Sequence, residues 1–195
     1  MKISLKAKSN LISIGIDVGT VNGAISVVDE GGKILVLTKA PYYQTEIKSK
    51  RNKSKLNKAT GKFEADFKKR SWVDFKKLKE IFEPFKKNKI IYTIERIQYR
   101  PTEGETSSFI NGNALGIFQG LYAFLEPISY FEPLAGEWKK ELGVTSLKDT
   151  SVKLAEEIYK VNLKDYVKKG KTDDIAEALL LSFYGLKKYY ENNGG

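Results

Sequence analysis

The 195-residue sequence contains neither cysteine nor histidine. The absence of cysteine excludes disulfides, thiolate metal sites and cysteine nucleophiles. The absence of histidine removes the commonest general base and zinc ligand, so acid–base or metal chemistry must rely on Asp, Glu, Lys or Tyr. A metal ion held by such side chains has mainly oxygen ligands, which favours Mg²⁺ or Mn²⁺.

Long hydrophobic runs are also missing. The first residues, MKISLKAKSN, are basic, but Gly15 and Asp17 interrupt the apolar run that follows, so it is neither a signal peptide nor a membrane span. We therefore expect a cytoplasmic protein with no membrane partner, in the host cytoplasm if a phage encodes it. With 41% hydrophobic residues and no Pro- or Ser-rich linker, residues 1–195 are expected to fold as one domain.

Positive charge is abundant and concentrated in one segment. The formal net charge is +10, from 34 Lys and Arg against 24 Asp and Glu. Residues 48–70 hold ten Lys or Arg against Glu64 and Asp66, with almost no apolar periodicity. We predict a basic loop or short excursion that contacts nucleic-acid phosphates. A solvated charged loop is the alternative interpretation.

The candidate DNA-binding residues come from three places. Most lie in this excursion, two follow residue 98, and two belong to the basic KKGK at 168–171. They are Lys50, Arg51, Lys53, Lys55, Lys58, Lys68, Lys69, Arg70, Tyr99, Arg100, Lys169 and Lys171.

One carboxylate lies where a predicted strand ends. Isoleucines alternate with small residues in ISIGID, which predicts a strand ending at Asp17, and Gly19 with Asn22-Gly23 predicts a tight turn into a second strand, Ala24–Asp29. An acid at the end of a buried strand is unfavourable unless a cation pairs with it, and a metal ion is the usual solution. Two alternatives remain, an ordinary turn residue and the phosphate-binding loop of an actin-like sugar kinase.

The remaining periodicity predicts three further strands and five helices. The strands are 33–39, 89–94 and 128–131, and the helices are 72–88, 105–125, 137–142, 149–160 and 174–190. Ser71 and Asp74 suggest a capping box for the first helix, and Trp138 is expected to anchor the core. The order predicts an α/β fold in which a five-stranded mixed sheet, beginning with an antiparallel meander, is flanked by helices.

The helix 105–125 carries Ser108, Gly112, Gly116 and Gly120 on one face. A glycine in a helix interior costs about 1 kcal/mol relative to alanine. Four small residues in register therefore predict close approach to the protein's own sheet, to another helix or to DNA.

Further acids lie at another strand end and at a helix start. Glu95 follows the strand 89–94, and either Asp174 or Asp173 shares a helix face with Glu177. Taken alone, acids in a first turn are typical of helix capping. Together with Asp17, however, these carboxylates match a site for two divalent cations, because such a cluster is unstable when empty. Paired ions can activate a water and stabilise the leaving oxygen of a phosphodiester.

Five motifs in one order resemble the RuvC-type Holliday junction resolvases, especially their phage and organellar relatives. They are IGIDVGTVNGA, IERIQYRP, SFINGNALGIFQGL, EPLAGEWKKELG and KTDDIAEALLL. The resemblance implies an RNase H-like fold, a homodimer and Mg²⁺-dependent nicking of a four-way junction, with Mn²⁺ as a substitute. It implies catalytic metal ligands at Asp17, Glu95, Asp174 and Glu177, and so favours Asp174 over Asp173.

Some residues depart from the family pattern. Val18 stands where the family often has proline, and Tyr99 is the aromatic near the second acid, where some members have a phenylalanine that wedges into the junction. Two other functions are considered. A kinase explains only IGIDVGT, and 195 residues are too few for two lobes around ATP. A non-catalytic module for branched DNA explains the charge but leaves Glu95 and Glu177 without a role.

Overall fold

The computed structural model describes residues 10–48, 55–56, 63–64, 67–98, 104–145, 148–167 and 172–194. The strands are β1 (Leu11–Asp17), β2 (Ala24–Asp29), β3 (Ile34–Lys39), β4 (Tyr42–Lys48), β5 (Lys55–Leu56), β6 (Phe63–Glu64), β7 (Phe67–Val73), β8 (Lys89–Ile94) and β9 (Ser129–Phe131). The α-helices are α1 (Phe75–Phe82), α2 (Glu105–Leu125), α3 (Ala135–Glu141), α4 (Lys148–Tyr159) and α5 (Asp173–Asn192).

Five strands form a mixed sheet in the order β3-β2-β1-β8-β9. The first three pair antiparallel, whereas β8 runs parallel to both β1 and β9. This confirms the predicted five-stranded mixed sheet with helices beside it. Alternation of isoleucine with small residues in β1 was the right signal, because it gives the strand one apolar face and one that a helix can approach closely.

The two faces of β1 meet different helices. Ile12, Ile14 and Ile16 pack in one core with residues of α2 such as Phe118. On the other face, Ser13 Oγ donates a hydrogen bond to the carbonyl of Ser182 in α5 at 2.8 Å. The sheet therefore lies between α2 and α5.

Small residues allow α5 to pack close to the sheet. A Cβ at Gly15 would overlap the carbonyl oxygen of Ala178 and lie 2.5 Å from the backbone nitrogen of Ser182. Ser26 Oγ donates to the same Ala178 carbonyl at 2.7 Å. At the far end of the contact, a Cβ at Gly185 would lie 3.2 Å from Ile91 Cγ2. This contact fixes where the first turn of α5 sits relative to the strand ends.

Of the two alternatives for residues 48–70, a basic loop or a short excursion, the loop is wrong where the structure describes these residues, because they form paired strands. β4 and β7 pair antiparallel from Tyr42 opposite Val73 to Lys48 opposite Phe67, and β5 pairs with β6 in a shorter ladder. We call the β4–β7 pair the basic hairpin. Among its described side chains only Val73 is buried. Because the described side chains of this hairpin bury little apolar surface, hydrophobic periodicity does not reveal its strands.

The predicted start of the first helix is also wrong. Ser71 and Trp72 belong to β7, and α1 begins at Phe75 with Asp74 as its N-cap. The helix ends at Phe82 rather than near residue 88, and a 3₁₀ turn follows. Pairing of β7 with β4 overrides the helical spacing that Trp72 shares with later aromatics. The other α-helices begin and end within two residues of their predicted bounds.

The small-residue face of α2 does not pack on the protein's own sheet, so that alternative is wrong. Added Cβ atoms at Gly112, Gly116 and Gly120 would have no heavy atom within 4 Å, and all three glycines are exposed. The opposite side of α2 supplies the buried residues Ala114, Phe118, Leu121 and Leu125. Within the described parts of the chain, no helix is both long and apolar enough to cross a membrane.

Candidate active site

Two acids meet at one edge of the sheet because neighbouring parallel strands end there. Ile16 of β1 is the register partner of Ile94 of β8, so the next residues in each strand direction are Asp17 and Glu95. The backbone N–H of Glu95 donates to the carbonyl of Ile16 at 3.0 Å, which continues the ladder by one residue. The strand ends therefore hold the two carboxylates side by side.

The N-terminal part of α5 contributes the remaining acids. Carboxylate oxygens of Asp17, Glu95 and Glu177 all lie within 4.8 Å of one another, and we call these three residues the acidic triad. Asp174 lies outside this group but close enough to affect the ionisation of Asp17. Asp173 belongs neither to the acidic triad nor to the groups that affect the ionisation of Asp17. Of the two aspartates that the sequence left open, Asp174 is the one whose charge affects Asp17.

The electrostatic cost of this arrangement falls on Asp17. Burial is the main cause that raises the pKa of Asp17 well above its usual range. The carboxylates of Glu95, Glu177 and Asp174 raise this pKa further. The ammonium of Lys139 acts in the opposite direction. Such a carboxylate is stabilised in its charged form by a nearby cation.

The donor set and the spacing of the triad fit a small divalent cation. Oxygens on opposite sides of Mg²⁺ lie about 4.2 Å apart, since each bond to the ion measures about 2.1 Å. Three oxygens on one octahedral ion include at most one such opposite pair, and adjacent oxygens lie about 3.0 Å apart. The triad oxygens, which lie within 4.8 Å of one another, would therefore draw closer together around a bound ion. Three carboxylates from rigid elements are the hard oxygen ligands that Mg²⁺ and Mn²⁺ prefer.

Two lysines that the sequence did not single out pair with the acids of α5. Lys39, at the end of β3, forms an ion pair with Asp174. Lys139, in α3, contacts Glu177 with an Nζ–Oε1 distance of 2.7 Å. Lys139 stands in the EPLAGEWKKELG motif, so its neighbourhood carried a signal. No sequence motif pointed to Lys39, because only the register of the sheet brings the end of β3 close to the acids.

Hydroxyl and indole groups complete the surroundings of the acids. Trp138 is fully buried, as expected for a core anchor, and its Nε1 also donates to Glu95 Oε2 at 2.8 Å. Ser151 Oγ lies 3.4 Å from Glu177 Oε1. Thr20 is 7% exposed, and its hydroxyl is one of three buried side-chain oxygens or nitrogens with no hydrogen-bond partner among the described residues. It lies three residues after Asp17, in the turn between β1 and β2.

The predicted DNA-binding residues are only partly described. Lys68 and Lys69 are exposed on β7, and Arg70 on the same strand is partly buried. Lys55 lies in β5, with a side chain outside the described ones. The other eight predicted contacts fall outside the described residues. They are Lys50, Arg51, Lys53, Lys58, Tyr99, Arg100, Lys169 and Lys171.

Comparisons with known proteins support the fold through structure rather than sequence. No protein-family model matches the chain, and no curated protein does. A solved structure of Thermus thermophilus RuvC in complex with a Holliday junction substrate is similar, with a TM-score of 0.54, 15% identity and coverage of 94% of this chain and 96% of that chain. A second Thermus thermophilus RuvC structure gives a TM-score of 0.50 and 14% identity with the same coverage. The fold is therefore RuvC-like, of the RNase H-like type.

Proposed function

We propose that this protein is a metal-dependent, structure-selective DNA endonuclease that nicks Holliday junctions and related branched DNA. The observation that carries the proposal is the acidic triad, in which two strand ends and one helix bring carboxylate oxygens within 4.8 Å on a RuvC-like fold. The similarity covers 96% of the RuvC chain, so nearly all of that protein's length has a counterpart here. At 15% identity the likeness concerns the fold, and the support for an activity comes from the acids of the site.

The acids have distinct positions for holding metal. Asp17, Glu95 and Glu177 would bind one Mg²⁺ ion, or Mn²⁺ in its place, and Asp174 would complete a position for a second. Bound ions of this kind activate a water and stabilise the leaving oxygen of a phosphodiester. Trp138 orients Glu95 through its indole N–H, and Lys139 limits the repulsion around Glu177. All four acids are thus proposed catalytic metal ligands.

The basic hairpin begins beside the acids, which supports a role in holding DNA. The N–H of Ala40, between β3 and β4, donates to the carbonyl of Gly23 at 2.7 Å, next to the strand end that carries Asp17. Lys68, Lys69 and Arg70 extend from this base along β7. Phosphate contacts by such residues release counterions and give affinity that falls with salt. The similar RuvC structure holds a Holliday junction, which supports branched DNA as the partner.

Symmetric nicking of a four-way junction requires two active sites related by a two-fold axis, so the working unit is proposed to be a C2 homodimer. The open face of α2, with Gly112, Gly116 and Gly120, is the proposed contact. Gly116→Leu should then give a folded monomer, because a side chain there meets no atom of its own chain. Analytical ultracentrifugation of wild type and variant decides this. A wild-type protein that remains monomeric both free and on a junction would contradict the dimer.

Cleavage assays test the assignment directly. Labelled four-way junctions, forks and linear duplex are incubated with Mg²⁺, Mn²⁺ or EDTA. We expect nicking of the junction that needs the metal, and we expect Asp17→Asn, Glu95→Gln, Asp174→Asn and Glu177→Gln each to abolish or sharply reduce it while junction binding survives. Wild-type turnover in two of these four variants would contradict the proposed ligands. Junction binding in EDTA with no cleavage in either metal would instead indicate a non-catalytic binding module.

Asp17→Asn provides an internal control for folding. Because the folded-state pKa of Asp17 is raised, the unfolded chain loses this proton first, and stability falls as pH rises from the usual aspartate range through the raised pKa. Asparagine cannot ionise, so Asp17→Asn should not show this fall in stability with rising pH. The variant without metal at pH 7 should therefore melt at the same temperature as wild type or about 2–4 °C higher, the rise that about 1 kcal/mol gives in a chain of this size. Loss of cleavage would then not reflect unfolding.

A further inference from the structure

Lys39 reaches the acids across a single row of the sheet. Asp17 is the register partner of Ala24 in β2, and Ala24 is the register partner of Lys39 in β3. Side chains in one such row point to the same face of the sheet. Here that is the face toward α5, because the ammonium of Lys39 contacts the carboxylate of Asp174. The small side chain of Ala24, which is fully buried, leaves this path clear.

This ion pair differs from an ordinary surface pair in its position. The side chains of Lys39 and Asp174 are 34% and 25% exposed, so both are partly shielded from water. Asp174 is also the one candidate ligand that lies outside the acidic triad. Lys139 pairs with Glu177 too, yet Glu177 remains within the triad, so its carboxylate stays in reach of Asp17 and Glu95. The two lysines therefore affect the acids unequally.

A count of charges gives the consequence for cation binding. With a metal ion at the triad, and so with Asp17 ionised, the carboxylates of Asp17, Glu95, Asp174 and Glu177 carry four negative charges. The two paired ammonium groups offset half of them. One divalent cation neutralises the remainder. A second one, bound while both ammonium groups stay in place, would make the site strongly positive. Repulsion from these positive charges would weaken the binding of that second ion.

We propose that Lys39 is a positioning residue that controls binding of the second metal ion. It holds the carboxylate of Asp174 away from the triad and supplies a positive charge in place of that ion. The protein without DNA then binds one divalent cation at the triad, and the second binds only when the ammonium of Lys39 leaves Asp174. This inference rests on the proposed two-ion site, but it concerns how the two positions differ.

Metal binding to the DNA-free protein tests the inference without any cleavage assay. Mn²⁺ titrations, with free ion counted by electron paramagnetic resonance, give the affinity of each position. Wild type should bind one ion at least about tenfold more tightly than the second. Lys39→Met and Lys39→Gln should each tighten the second ion by about tenfold, as expected for removing a partly shielded ion pair and its charge. Lys39→Arg, which keeps the charge, should behave like wild type.

Two further variants separate this role from a general effect of charge. In Asp174→Asn, adding Lys39→Met should tighten the second ion by less than about threefold, because the carboxylate that the lysine holds is gone and only its long-range charge remains. Lys33→Met, which removes an exposed lysine at the opposite end of β3, should leave both affinities unchanged. A second-ion affinity in Lys39→Met within twofold of wild type, with the first ion bound normally, overturns the inference alone. If wild type binds no Mn²⁺ at all, the proposed function fails and this inference fails with it.

Discussion

The acidic end of the sheet and the basic hairpin are held by different kinds of contact. Around the acids, β1, β8 and α5 pack through residues that are fully buried, and Gly15 allows backbone to meet backbone. In the basic hairpin, Val73 is the only buried residue among the described side chains of β4 and β7. Buried packing gives the precise geometry that metal ligands require. The basic hairpin, which buries few side chains, holds its lysines less precisely. Phosphate contacts tolerate this, because they depend on charge more than on exact geometry.

The two tryptophans of the chain show the same contrast. Trp138 is fully buried and donates to the Glu95 carboxylate at 2.8 Å. Trp72 is partly buried, donates to the Thr45 hydroxyl at 2.9 Å across the hairpin, and meets Phe109 of α2 edge to face with ring centroids 6.2 Å apart. One indole therefore positions a charged ligand, whereas the other attaches the hairpin to α2.

The largest effect is expected where α5 meets the sheet. Gly15→Ala should destabilise the protein by about 3 kcal/mol, because its Cβ would overlap the Ala178 carbonyl and no flexible side chain can move aside. The matched change Gly136→Ala, in α3 and outside the proposed dimer contact, should alter stability by less than about 1 kcal/mol, since its Cβ meets no heavy atom within 4 Å. Urea unfolding followed by circular dichroism measures both. Equal stabilities for the two variants would mean that α5 does not pack on β1 this closely.

The sequence could predict the parts of the fold that rest on hydrophobic periodicity. Alternation in ISIGID gave β1 with Asp17 at its end, and the apolar KIIYTI gave β8 followed by Glu95. These strands are buried, so their side chains had to match the core. The short connections between the first three strands predicted their antiparallel meander, whereas the order of the whole sheet was not predicted. Asp17, Glu95 and Glu177 were expected to be neighbours on this basis, and the structure places their oxygens within 4.8 Å.

The lysine that pairs with Asp174 could not be predicted, because its position depends on the register between distant segments of the chain. Lys39 reaches Asp174 only because β3 pairs with β2 so that Lys39 faces Ala24. A lysine at the end of a strand is ordinary in a chain with 34 Lys and Arg. The basic hairpin escaped prediction for a related reason. Its strands bury little, so their pairing leaves no pattern of alternating hydrophobic residues.

Matched substitutions of the two tryptophans should have effects of intermediate size and should distinguish the acidic end of the sheet from the basic hairpin. Trp138→Phe should cost about 2 kcal/mol of stability, because hydrogen bonds to charged groups contribute about 1.5–3 kcal/mol. It should also weaken Mn²⁺ binding by about tenfold, since Glu95 loses the group that orients it. Trp72→Phe should cost about 1 kcal/mol and leave Mn²⁺ affinity unchanged, because its partner is a neutral hydroxyl in the hairpin.

Thermal melts without metal and Mn²⁺ titrations provide these measurements. The comparison depends on the metal result rather than on the stabilities alone. If Trp72→Phe weakened Mn²⁺ binding as much as Trp138→Phe, the hairpin and the acidic end would be one cooperative unit. The separation drawn between them would then be wrong.

The smallest effect on stability, and the clearest on DNA, is expected from the charges of the basic hairpin. Changing Lys68, Lys69 and Arg70 to glutamine should alter the free energy of unfolding by less than about 0.5 kcal/mol, as for most surface substitutions. Each lost phosphate contact should reduce the log–log slope of DNA affinity against salt by about 0.9.

A control variant changes Lys33, Lys87 and Lys89 to glutamine. These lysines are exposed at the opposite end of the sheet from Glu95. Fluorescence anisotropy on a labelled junction at several salt concentrations compares the two. Both variants lose three positive charges, so long-range attraction to DNA falls equally in each. A larger decrease in the salt slope of the hairpin variant would therefore indicate direct phosphate contacts. Equal slopes would leave the hairpin as a solvated surface and move DNA contact elsewhere on the chain.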